Sequence, residues 1–414
     1  MRGRRLAVSG ALLGALTFGV AACGGDEEGT GGGGQVAGET LTIYSSLPLQ
    51  GDSRPQSESV VNGMKLALEE AGGKAGDFTI KYVSLDDSTP AAGKWEPGAV
   101  SANARKAAQD KSTIAYLGEF NSGAAAVSIP ITNEAGILQI SPSNTYVGLT
   151  RAEGAEPGEP DKYYPAGTRT YGRVVPADHI QAAADVSYMK ENGVTKVYIL
   201  HDKEVYGKGI ADGVAKLAPD QEIEVLGNEG IDTKAANFRS LAAKIKASGA
   251  DGFFFGGITQ NKGVQVWKDV YAANPEIKLF GPDGVAESPF TEKLGESQKN
   301  TYITVATLDP ASYPPAAQKF FTDYKAKFGA DPEPYAIYGY EAMAVALLAI
   351  ENAGAKGNDR QAVIDEFFKI KGRESVLGTY DIDENGDTTL SDYGAYRVKD
   401  GKLVFDKVIK AATA

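Results

Sequence analysis

The chain has 414 residues, with 54 acidic and 42 basic side chains and a formal charge of −12. That balance repels nucleic acid and anionic lipid and argues against both as partners of a folded body. One cysteine and two histidines rule out an internal disulfide and leave almost nothing for a His/Cys metal site or a Cys–His nucleophile pair.

The chain opens with "MRGRRLAVSGALLGALTFGVAAC". Arg2, Arg4 and Arg5 precede a run of apolar and small residues from Leu6 to Ala22. The run is shorter than the roughly 20 apolar residues that span a bilayer. A basic start, a short apolar middle and a small-residue end describe a secretory signal over residues 1–22. Val20-Ala21-Ala22-Cys23 resembles a bacterial lipobox, and the chain's one cysteine stands where that motif requires it. The resemblance implies a diacylglycerol on the Cys23 thiol, and two acyl chains anchor stably where one does not. Residues 23–39, rich in glycine and without apolar period, read as a flexible tether. The expectation is a body held at the outer face of the cytoplasmic membrane. Loss of the signal takes the charge to −15 and leaves about 390 residues, enough for two large lobes.

From residue 41 short β-rich runs alternate with helical patterns. "LTIYSSL" precedes "ESVVNGMKLALEEA", in which Val60, Val61, Met64, Leu66, Ala67 and Leu68 form an apolar face. "FTIKYVSL" precedes "GAVSANARKAAQ", "STIAYLG" precedes "SGAAAVSIPITNEA", and "GILQIS" ends the series. Residues 146–172, "YVGLTRAEGAEPGEPDKYYPAGTRTYG", are a loop rich in Gly and Pro. The alternation resumes with helix "DHIQAAADVSYMKENG" and strand "KVYILHD", and runs on through "DGFFFGG" to "IKLFG". Strands alternating with helices of this length make parallel sheets covered on both faces, and two series make two lobes. After "TYITVATL" three helices follow, the first with Pro at its start and Gly329 at its stop. A final β region spans 378–409, with "ENGD" and "KDGK" as its turns.

Ligands of open parallel sheets bind beyond the carboxyl ends of the strands. The stretches to read for function are therefore "EFNSG", "SPSNT", "HDKEVYG", "GGITQ" and "GPDGVAE". The first strand-to-helix turn lacks G-x-G-x-x-G and the chain has no G-x-x-x-x-G-K-[ST], so no nucleotide or other cofactor is expected. "DIDENGDTTLSD" nearly spells a calcium loop, but Asp392 stands where a bidentate Glu belongs, and a solvated turn is the simpler account, with no metal expected. Asp178 reads as a helix N-cap with His179 exposed beside it, and His201 ends a strand with no catalytic partner. No Ser/His/Asp set or carboxylate pair suggests an enzyme.

The motifs "YILHDKEVYGKGIADGV", "FFFGG", "LFGPDGVAE" and "AYLGEFNSG…GILQISPSNT" together resemble the leucine/isoleucine/valine-binding proteins, solute receptors of ATP-driven importers. The resemblance covers essentially everything after the tether. It implies an α/β fold of the type I periplasmic binding protein kind: two Rossmann-like lobes with parallel-type sheets, joined by a three-crossover hinge. Lobe 1 would take 40–177 and 307–390, lobe 2 178–306 and 391–412. The implied ligand is a branched-chain or related amino acid, and the implied partners are an ABC permease and its ATPase. A sensor of the same fold, for amides, urea or small carboxylates, is the alternative.

Carried over residue by residue, the resemblance assigns the ligand carboxylate to Asn121 and Ser122. Ser143, Asn144 and Thr145 would meet both carboxylate and ammonium, and Asp283 would pair with the ammonium. Phe120, Tyr206 and Tyr340 would wall the side chain. Ile258 and Gln56 stand where aromatics are expected, implying a wider or more polar pocket. Each residue also has a plainer reading: Ser122 a helix cap, Tyr206 and Tyr340 core aromatics, Asp283 a turn residue. Their joint place at strand ends favours the site.

Overall fold

The computed structural model describes residues 34–410; the signal, Cys23 and the tether up to residue 33 lie outside the described residues. The first lobe runs β1 (Thr40–Leu47), α1 (Arg54–Glu70), β2 (Lys74–Ala75), β3 (Phe78–Asp86), α2 (Pro97–Gln109), β4 (Thr113–Leu117), α3 (Ser122–Glu134), β5 (Leu138–Ser141) and β6 (Tyr171–Arg173). Its sheet has the order β2-β3-β1-β4-β5-β6, parallel apart from the short β2. β6 lies in the stretch read as loop. It has only three residues and sits at the sheet edge, too short for a period-2 pattern to show.

The chain then crosses to α4 (Asp178–Glu191), β7 (Lys196–His201), α5 (Val205–Leu217), β8 (Glu224–Gly230), α6 (Arg239–Ser248), β9 (Gly252–Gly256), α7 (Gly263–Ala273), β10 (Lys278–Gly281), α8 (Ser288–Thr291) and β11 (Thr301–Val305). Phe253, Phe254 and Phe255 are all fully buried, as an unbroken apolar run in a sheet covered on both faces requires. A second crossing leads to α9 (Pro315–Phe328), α10 (Ala336–Asn352), α11 (Arg360–Phe368) and a small hairpin, β12 (Arg373–Ser375) with β13 (Gly378–Tyr380). A third returns to β14 (Asp392–Lys399) and β15 (Lys402–Lys410), which complete the order β15-β14-β11-β10-β9-β7-β8.

Of the two turns, "KDGK" closes the β14–β15 hairpin, with Asp400 at φ 51° and Gly401 at φ 74°, the left-handed pair such a turn needs. "ENGD" closes no ladder beyond one isolated bridge, Ile382 to Thr388. Its carboxylates serve arginines. Asp387 accepts from Arg173 Nε at 2.8 Å and Arg151 Nε at 2.7 Å, and Asp383 accepts from Arg151. Burial pushes the Asp387 carboxyl up, but Arg173 and Arg151 outweigh it and hold it below the ordinary range. Arg173, fully buried, also donates to Thr150 Oγ1 and the Tyr146 carbonyl, pinning the chain just after β5.

α10 belongs to the first lobe because it packs backbone to backbone on α1. A Cβ on Gly63 would lie 2.1 Å from the Ala336 carbonyl, and one on Gly339 would lie 2.3 Å from that of Val60. Only glycine permits that approach. The end of the presumed tether is also fixed: Val36 is buried and its N–H donates to the Asn358 carbonyl at 2.7 Å.

Candidate functional site

The carboxyl ends of both sheets face each other across a small cavity lined by residues of both lobes. The first wall comes from the β4–α3 junction, the turn after β5 and the start of α1. The Glu119 carbonyl accepts from Ser141 Oγ at 2.9 Å and Asn144 Nδ2 at 2.8 Å, and Ser143 Oγ donates to the Phe120 carbonyl at 2.9 Å. The two turns are thus one hydrogen-bonded unit. Ser122 opens α3, and its Oγ accepts from the N–H groups of Thr145 (3.3 Å) and Tyr146 (3.2 Å). The hydroxyl proton stays free to donate. The first N–H groups of α3 have no carbonyl one turn back, and the Asn121 side chain makes no cap bond. Thr145 Oγ1 is buried with no partner. This wall offers donors and positive helix-end potential to an anion without any formal charge.

The second wall carries acid. Asp283, just after β10, accepts from Tyr206 Oη on Oδ1 at 2.7 Å and from Tyr335 Oη on Oδ2 at 2.8 Å. Burial pushes its carboxyl up, and the two phenols offset part of that. Tyr206 sits on α5 and also receives the Gly284 N–H at 3.0 Å. Tyr335 immediately precedes α10, and its ring meets Phe120 edge-on at 6.1 Å. Ile258, Gln260 and Glu287 finish the wall. The Glu287 carboxyl is pushed up to about 8 by burial.

Phe120, Asn121, Ser122, Ser143, Asn144, Thr145, Tyr206, Ile258 and Asp283 all line this cavity, as does Gln56. Tyr340 does not. Its hydroxyl donates to Glu70 near the surface and its ring packs on Phe320. Tyr335 takes the place expected of it. The two lie five residues apart, about 140° around a helix, so they point to different sides. Asp178 is not a cap: Ala177 holds that position, and both Asp178 carboxylate oxygens are buried without partners. Burial therefore raises that carboxyl to about 8. His201 accepts the Lys203 N–H at 3.2 Å, and burial holds its pKa below the ordinary value. Sequence reasoning missed Ser53, Gln260, Gly284, Glu287 and Tyr335. Gln260 and Glu287 lie inside "GGITQ" and "GPDGVAE", the post-strand stretches already marked for function.

The lobes also touch at the rim. Lys94 donates to Glu204 Oε1 at 2.6 Å and Asn261 Oδ1 at 2.8 Å, and Trp95 Nε1 donates to Glu204 Oε2 at 3.2 Å.

Two α/β lobes, three crossings and a cavity with polar groups at opposed strand ends are the architecture of a solute-binding receptor. The chain belongs to the periplasmic binding protein family, whose profile matches residues 40–402. It is 28% identical over 365 residues to an amino acid binding protein of Pseudomonas aeruginosa, covering 87% of this chain and 90% of that one. A leucine-, isoleucine-, valine-, threonine- and alanine-binding protein of the same organism is 26% identical over 367 residues, 87% of this chain and 90% of that one. A leucine-binding protein of Thermotoga maritima superposes with a TM-score of 0.78 at 22% identity, covering 89% of this chain and 99% of that one. Among the described residues no helix is long and apolar enough to cross a membrane.

Proposed function

We propose that this cavity holds an α-amino acid as a zwitterion and that the loaded protein delivers it to an ABC permease driven by its ATPase. The observation that carries this is the division of labour between the walls. The α3 N-terminus, Ser122 and Thr145 offer donors to a carboxylate, and Asp283 offers a buried carboxyl to an ammonium. A buried charge is tolerable when paired, and a zwitterion pairs both ends at once. The relatives named for amino acids, one of them for leucine, isoleucine, valine, threonine and alanine, support the same ligand class. The lobes grip the guest together, so binding favours the closed form over the open one. Cys23, lipidated, would keep the receptor beside its permease and raise the local concentration.

A thermal-shift panel of the α-amino acids at millimolar concentration tests the reading. At least one should raise the melting temperature by several degrees; a flat response across the panel contradicts the ligand class.

A further inference from the structure

The cavity has two acids, and the amino-acid reading above uses only Asp283. The lining contains no lysine, arginine or histidine. The second acid, Glu287, is 3% exposed. It holds the N-cap position of α8, yet its side chain makes no cap bond to that helix. One oxygen, Oε1, accepts from Gln260 Nε2 at 2.9 Å. Beside it the buried Thr259 hydroxyl also faces this carboxyl.

The two carboxyls face different surroundings. Asp178 and Asp185, on α4, feel the charge of Asp283. The acids that act on Glu287 are Glu333 and Asp52, and both are engaged: Glu333 accepts from Ser288 Oγ at 2.7 Å and Asp52 pairs with Lys293 at 3.0 Å. Glu287 follows Asp283 by four residues and lines the same cavity, so a ligand whose ammonium meets Asp283 can present its side chain to Glu287.

Resting on that amino-acid reading, we propose that the receptor selects α-amino acids whose side chain ends in a nitrogen hydrogen-bond donor, carboxamide or ammonium, received by Glu287 with Gln260. A methyl group placed there would strip water from a carboxyl and return nothing, a cost of buried polar groups that aliphatic ligands cannot offset. An N–H donor satisfies the free capacity of Glu287. A carboxylate side chain would meet a second acid with no cation near, and is disfavoured. The surrounding wall agrees, because Gln56 and Ser53 stand on the facing lobe in place of apolar groups.

Isothermal titration of the full chain with glutamine, asparagine, lysine, ornithine, leucine, isoleucine and glutamate tests this. At least one nitrogen-bearing ligand should bind tenfold or more tighter than leucine. Glu287→Leu should cut that preference at least tenfold. Glu287→Gln keeps acceptor and shape but cannot ionise, so it should spare amide ligands and weaken ammonium ligands at least tenfold, which tells the two donors apart. Leucine binding as tightly as every nitrogen-bearing ligand in the unsubstituted protein would overturn the proposal and leave the amino-acid reading standing, with no variant needing to fold. Silence across all seven would remove both.

Discussion

The two walls of the cavity solve opposite problems by opposite means. In the proposed binding mode the first-lobe wall would meet an anion with neutral groups: helix-end N–H, the Ser122 hydroxyl and Thr145 Oγ1. The second-lobe wall would meet a cation with true carboxyls, Asp283 and Glu287, held by phenols and an amide. The contrast teaches how polarity is set without strain in the empty protein. A helix end attracts an anion without the desolvation penalty of a buried lysine, whereas burial raises the pKa of both carboxyls and so disfavours their charged form until a cation is beside them. The guest's orientation follows from which lobe carries which device.

The sharpest way to break the comparison is Asp283→Asn. Affinity for α-amino acids should fall by about 3 kcal/mol, over a hundredfold, as measured by calorimetry. Analogues lacking the ammonium should lose far less, and equal losses for both would undo the assignment of cation to the second lobe.

A pH series comes next in size. Glu287 keeps its proton up to about 8 in the fold, against an ordinary 4.5. Between those values the unfolded chain releases a proton that the fold retains, so stability should fall as pH rises through that window. The loss is about 1.4 kcal/mol per pH unit across the window, and Glu287→Gln should flatten that part of the profile in urea titrations. An unchanged slope would mean Glu287 is already ionised.

Ser122→Ala probes the neutral wall. It leaves the N–H groups of Thr145 and Tyr146 without their acceptor, which should cost about 1–2 kcal/mol in stability or ligand affinity. Lys94→Ala removes a rim contact that is partly solvated, so the loss should be about 0.5–1 kcal/mol and should appear as faster ligand release in stopped-flow traces. Tyr340→Phe should leave affinity unchanged within about 0.5 kcal/mol. Tyr335→Phe, by contrast, removes one of two donors to Asp283 and should weaken binding measurably.

Most of the cavity was legible because strand ends are legible. Asn121, Ser122, Thr145 and Asp283 each follow an apolar run that announces its own sheet, and parallel sheets put those ends together. Tyr340 misled because the strand rule says nothing about which side of a helix faces inward, and "YAIYGY" is aromatic all round. Glu287 was hidden for another reason. In sequence it is an acid in a turn after "GPDG", and only burial among neutral partners makes it a candidate binding group rather than a solvated charge. The arginines that take up Asp383 and Asp387 lie over 200 residues away, so local spacing showed a metal-like pattern where the fold has ion pairs.

The close contact of Gly63 with Ala336 and of Gly339 with Val60 fixes Tyr335 to the first lobe, while Asp283 rides on the second. The phenol–carboxyl bond between them therefore exists only when the jaws meet. Parting them would leave Tyr206 as the acid's remaining phenol, so in the proposed mode the grip on the cation and the act of closing would be fastened by one shared proton donor.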